Sequence, residues 1–118
     1  MSKVPKAGSP GEEELARHLR VYNIPFEREA CLIPGRKWRV DFLIQPSLVI
    51  EVEGGIWQVG RHQRAAGFVA DCRKYNRLAM GGYSVLRFTT CMIQSGEAIN
   101  TVLQLVGRSV EVTHETHS

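Results

Sequence analysis

Three carboxylates sit where buried strands should carry valine or leucine. The segment runs Arg39-Val-Asp41-Phe-Leu-Ile-Gln-Pro-Ser-Leu-Val-Ile-Glu51-Val-Glu53-Gly54-Gly55. Both of its arms are apolar enough to lie in a core, and ionised carboxylates are seldom buried unless paired or metal-bound. Oxygen-only donors converging on one patch of sheet suit a hard cation, Mg²⁺ or Mn²⁺, and its chemistry on phosphate. A solvated acidic edge of the sheet is the plainer alternative.

The spacing predicts the geometry. Gln45-Pro46-Ser47 reads as a three-residue turn that sets Ile44 opposite Leu48 and therefore Asp41 opposite Glu51. Directly opposed residues lie roughly 4.5–5.5 Å apart at Cβ, so one ion could touch both carboxylates. Alternation turns Val49, Glu51 and Glu53 to one face and Leu48, Ile50 and Val52 to the other. The same register puts Arg39 opposite Glu53, as a cross-strand ion pair.

A fourth carboxylate comes from the segment before the sheet. Ser9 caps a helix expected over Gly11–Tyr22, with Glu12, Glu13 and Glu14 in its first turn and Asn23 at its end. Glu12 shares a face with Leu15, Ala16 and Leu19, so it points inward, whereas Glu13 and Glu14 turn away. An acid that merely stabilises the helix dipole would fit all three.

After the sheet the charge reverses. Arg61, His62, Arg64, Arg73, Lys74 and Arg77 crowd the next segment, and Trp57 lies in the glycine-rich stretch before them. A basic segment beside an acidic cluster suits a phosphate polymer docked over a metal. Arg61, His62 and Arg64 are expected to position phosphates, and Trp57 to touch substrate; a solvated helix face is the plainer reading. Asp71 and Lys74 read as a surface pair.

The elements that must position these groups follow an α-β-β-β-α-β-α order. Strands are expected over 26–33, 38–44, 48–53 and 83–88. Helices are expected over Gly67–Met80, with Phe68, Cys72, Tyr75 and Ala79 inward, and from about Ser95 to Val106. The 118 residues make one domain at 11–108, between a flexible arm at 1–10 and a flexible tail at 109–118. The order implies an α/β fold, a mixed four-stranded sheet flanked by helices, its last two strands parallel across a helical crossover.

Net charge is +3, and cysteines 31, 72 and 91 form no CxxC pair, which disfavours a zinc site or disulfide framework. No apolar run reaches the roughly 18 residues that span a bilayer. No membrane is expected as partner, and the expected location is a bacterial or phage-infected cytoplasm.

Glu12, Asp41, Glu51-Val-Glu53, the basic helix and Gly81-Gly82-Tyr83-Ser84-Val85-Leu86-Arg87-Phe88 occur in an order that resembles the PD-(D/E)XK nuclease superfamily. Within it the chain looks most like very-short-patch-repair-type and small phage or prophage endonucleases. The resemblance covers about Glu12 to Phe88. It implies a restriction-endonuclease-like core and Mg²⁺-dependent hydrolysis of DNA phosphodiesters, in repair, recombination or phage DNA processing. Asp41, Glu51 and Glu12 match metal carboxylates. Glu53 stands where the family has its lysine, so the water-activating charge must come from elsewhere, His62 or Lys74, unless Glu53 itself takes the proton. Duplex, nicked, mismatched or branched DNA are the implied substrates, and cutting both strands would need a homodimer. The alternative is a DNA-binding module that has kept the nuclease fold without turnover.

Overall fold

The computed structural model describes residues 9–53 and 61–117, with side chains except at 61–65 and 108–117. The elements are α1 (Pro10–Val21), β1 (Glu27–Cys31), β2 (Arg39–Ile44), β3 (Leu48–Glu53), α2 (Arg61–Met80), β4 (Ser84–Thr89), α3 (Thr90–Gln94) and α4 (Glu97–His117). The sheet order is β1-β2-β3-β4, antiparallel except for the parallel β3–β4 pair. This is the expected mixed sheet with a helical crossover.

Helices cover both faces because the strands are apolar on both. Leu48, Ile50 and Val52 pack with Phe42, Ile44 and α1, α3 and α4 in one cluster. Val49 packs with Val40, Leu43 and Leu78 of α2 in the other. Phe42, Leu15, Leu19 and Ile50 are wholly buried; truncating one such side chain to Ala costs about 2–5 kcal/mol.

Local chemistry sets the ends of the elements. The Ser9 hydroxyl accepts the Glu12 N–H at 3.2 Å, which starts α1. Asn23, at φ 58°, ends it, with Asn23 N–H donating to Arg20 and Ile24 N–H to Leu19. Gly82, at φ 90°, ends α2 in the same way, with Tyr83 N–H donating to Leu78. Both are Schellman closures, in which a left-handed residue lets its own amide and the next one satisfy orphan carbonyls. Gly11 serves a different need. A Cβ there would stand 2.9 Å from Thr90 Oγ1 and 3.4 Å from Val52 Cγ1. Only glycine lets the first turn of α1 lie this close to the sheet.

Several expectations need correction. α2 begins at Arg61, six residues before the expected Gly67. Its residues 66–70 are exposed all round, so this turn stands clear of the sheet and Phe68 is 67% exposed instead of inward. α1 ends at Val21, one residue before the expected Tyr22, which caps it and is 53% exposed. A short helix, α3, precedes α4. α4 passes through Gly107 and continues to His117, over residues read as a loose tail. Among the described residues no helix is long and apolar enough to cross a membrane.

Candidate metal centre

β2 and β3 pair through Ile44–Leu48, Leu43–Val49 and Phe42–Ile50, the register expected from the turn. Beyond Phe42–Ile50 the ladder stops and side chains take over its hydrogen bonds. Glu51 Oε2 accepts the Asp41 N–H at 3.0 Å, and Asp41 Oδ2 accepts the Val52 N–H at 2.8 Å. The two carboxylates thus close the fork between the strands reciprocally.

The β1–β2 ladder is interrupted at the same level. Pairing runs Glu27–Leu43, Arg28–Phe42, Ala30–Val40 and Cys31–Arg39, which omits Glu29 and Asp41. Glu29 has φ 55°, a left-handed conformation that L residues adopt at a cost. Across this break the alternation of β2 slips. Val40 joins the α2-side cluster although Phe42 and Ile44 face α1.

Asp41 therefore meets the residues on the α1 side. Carboxylate oxygens of Glu12, Glu29 and Asp41 all lie within 4.8 Å of one another. Glu12, expected inward, is 5% exposed, held by the close approach of α1 at Gly11. Glu29 was missed by sequence reasoning. Its signal is its place directly across from Asp41 once the β1–β2 register is known. Arg28 Nη2 donates to Glu12 at 3.2 Å and to Glu13 at 3.0 Å, and its guanidinium lies 5.2 Å from the Phe42 ring. Arg28 holds the Glu13 carboxyl below its usual range by hydrogen bond and charge.

Glu51 belongs to the other side of the fork. It is 7% exposed, and its Oε1 accepts from Lys74 Nζ at 3.1 Å and Tyr75 OH at 3.4 Å. Burial pushes its carboxyl up, Lys74 pulls it down, and the charge of Asp41 pushes it up again; the net direction is up. Lys74 is turned inward, its Nζ also donating to the Arg39 carbonyl at 2.7 Å, so it is not the surface partner expected for Asp71. The Tyr75 hydroxyl is raised well above its ordinary value, by burial first and then by Glu51 and Glu53.

Glu53 pairs with Arg87 of β4, Nε donating at 2.9 Å, and reaches Tyr75 OH at 3.4 Å. The expected Arg39–Glu53 pair is absent because the strands diverge past the fork. Arg39 instead donates to the Glu29 carbonyl at 3.4 Å. Arg61, His62 and Arg64 fall in the first turn of α2, where side chains lie outside the description. Trp57 lies outside the described residues altogether.

The donor set suits a hard divalent cation, since three carboxylates converge with no thiolate or imidazole among them. Glu12, Glu29 and Asp41 occupy one side of the fork, and Glu51 with the Lys74 ammonium the other. Such a site can hold Mg²⁺ or Mn²⁺ and orient a water nearby.

No protein-family profile matches the sequence, and no curated protein does. Among solved structures, the catalytic domain of the homing endonuclease I-Bth0305I is similar in fold. The TM-score is 0.62 at 21% identity, over 82% of this chain and 92% of that one. The chain thus has an α/β fold of the kind that this catalytic domain has.

Proposed function

We propose that the chain is a metal-dependent DNA endonuclease that hydrolyses phosphodiester bonds, with Mg²⁺ or Mn²⁺ as cofactor. The observation that carries this reading is the convergence of Glu12, Glu29 and Asp41 within 4.8 Å at the open fork of the sheet. The structural similarity to a homing endonuclease catalytic domain supports it. So does the sequence resemblance to PD-(D/E)XK and very-short-patch-repair-type enzymes.

In this reading Asp41 and Glu12 hold the ion, with Glu29 beside them. A cation bound there supplies charge neutralisation on the scissile phosphate and acidity to a water. Glu51 fixes the Asp41 backbone and holds the Lys74 ammonium 3.1 Å away. Lys74 thereby supplies the positive charge missing at Glu53, from a helix instead of the strand, and orients the attacking water. Because Arg87 holds Glu53, this favours Lys74 over Glu53 in that role. His62, Arg61 and Arg64 at the start of α2, and Trp57 before it, are proposed to contact the flanking DNA.

Cleavage of plasmid and branched DNA with Mg²⁺ or Mn²⁺ tests the proposal. Asp41→Ala and Glu51→Ala should abolish turnover, and full activity in either overturns the site. Arg28 favours a second reading, because it occupies the Glu12 carboxylate that an ion would use. A non-catalytic DNA-binding module would bind DNA in a salt-sensitive way and show no Mn²⁺ heat in calorimetry.

A further inference from the structure

The acidic end of the sheet poses an electrostatic problem for any DNA ligand. Glu12, Glu29, Asp41 and Glu51 gather there, and each repels phosphate. Flanking cations must offset that repulsion. Among the described residues, the turn joining β1 to β2, residues 32–38, offers such cations, and it enters β2 two residues before Asp41. Two strand residues span about 6.6 Å, and Lys37 lies within about 13 Å of Asp41 along the chain.

This turn has the charge and the support that a phosphate contact needs. No Asp or Glu occurs between Ala30 and Val40, whereas Arg36, Lys37 and Arg39 are all basic and exposed. The Arg36 guanidinium stacks 4.3 Å from the centre of the Trp38 ring, and Trp38 packs against the α2-side cluster. Stacking fixes the guanidinium plane and leaves its N–H edges to the outside. The stem is tied to the candidate metal centre. The Arg39 carbonyl accepts from Lys74, the residue that pairs with Glu51, and the Arg39 guanidinium donates to the Glu29 carbonyl.

We propose that the β1–β2 turn, through Arg36 and Lys37, is a DNA-backbone clamp that grips phosphates flanking the scissile bond. This deepens the nuclease reading and rests on it. The contacts are to phosphate, not to base edges, so they add affinity and register without sequence preference.

The test is binding of a fluorescent duplex in EDTA across a salt series, with the whole chain. Losing two phosphate contacts in Arg36→Gln/Lys37→Gln should make the log K against log salt slope shallower by about 1.8. Between about 50 and 200 mM salt its affinity should then fall about 12-fold less than that of the unmodified chain. Arg17→Gln/Arg20→Gln, on exposed positions further along α1, removes the same charge elsewhere and should leave the slope unchanged. A turn variant with an unchanged slope, or a control that lowers it equally, overturns the clamp. If the unmodified chain binds no duplex, the DNA reading fails with it. If it binds and cleaves while the turn variant keeps its slope, the clamp alone fails. Both variants change exposed positions only, and unchanged melting by circular dichroism shows that they fold.

Discussion

Replacing Lys74 by Met keeps the aliphatic stem and removes the ammonium, and the consequence should depend on pH. Lys74 Nζ lies 3.1 Å from Glu51 Oε1, with the two side chains 14% and 10% exposed. Burial and Asp41 already raise the Glu51 carboxyl, and Lys74 is the main force against them. Without it the carboxyl rises further, until protonation becomes its cheapest escape. That escape caps the loss. For an ordinary unfolded pKa of about 4.3, keeping the group protonated costs about 3.7 kcal/mol at pH 7 and about 1 kcal/mol at pH 5. A charge-assisted hydrogen bond is worth about 1.5–3 kcal/mol, and the bond to the Arg39 carbonyl adds up to about 1 kcal/mol at either pH. The expected deficit of Lys74→Met is therefore about 3 kcal/mol at pH 7, shrinking to about 1.5 kcal/mol at pH 5. The sign follows from linkage. A carboxyl raised in the folded state favours folding below its unfolded pKa, and that contribution is lost as pH rises through the folded value. Urea unfolding in metal-free buffer at both pH values measures it. Adding Glu51→Gln should recover most of the pH 7 loss. Equal deficits at the two pH values, or a double variant no better than Lys74→Met alone, would refute the reasoning.

Other expectations are as specific. Gly11→Ala should cost about 1–3 kcal/mol through the contact with Thr90 Oγ1, and Thr90→Ala should restore part of it in a double-mutant cycle. Glu29→Gln should weaken Mn²⁺ binding in calorimetry while raising the melting temperature, since it relieves repulsion from Glu12 and Asp41. Glu29→Gly should gain up to about 1 kcal/mol more at its left-handed φ; a loss of stability in both variants counts against the cluster. Arg28→Met should raise the NMR titration midpoint of Glu13 towards the ordinary range, because Arg28 is what lowers it. The stability that the lowered carboxyl contributes is present above its unfolded pKa and lost as pH falls through the folded one. An unmoved midpoint would mean that Arg28 does not hold Glu13 in solution.

What the sequence made legible, and what it hid, follows from how local each signal is. The β2–β3 register depended on one three-residue turn, and the inward face of Glu12 on helical spacing alone; both appear in the structure, but the ladder stops at Phe42–Ile50, and Asp41 and Glu51 part to opposite sides of the fork instead of facing one ion. Glu29 was hidden because its role depends on a broken ladder and a left-handed φ that no residue type announces. Lys74 reads from sequence both as a surface partner of Asp71 and as a stand-in for the missing lysine, because its partners, Glu51 and the Arg39 carbonyl, lie on β3 and β2, far from it along the chain. α3 escaped notice because its cap pairs Thr89 with the Met92 sulfur, where the familiar box has Glu or Gln. Phe68 misled because a stripe pattern cannot tell a helix on the sheet from one that overhangs it.

The division of the interior into two apolar clusters bears on how the site tolerates change. Glu12 rides on α1, whose support is Leu15, Leu19 and Phe42, whereas Lys74 rides on α2, seated by Leu78 against Val40 and Val49. The anionic and cationic halves of the centre thus rest on clusters at opposite faces of one sheet, which β2 and β3 join. Cavities opened behind α1 should loosen ion capture, and cavities behind α2 should loosen the ammonium. A lineage could in this way retune one half by small core replacements while the other stays in register.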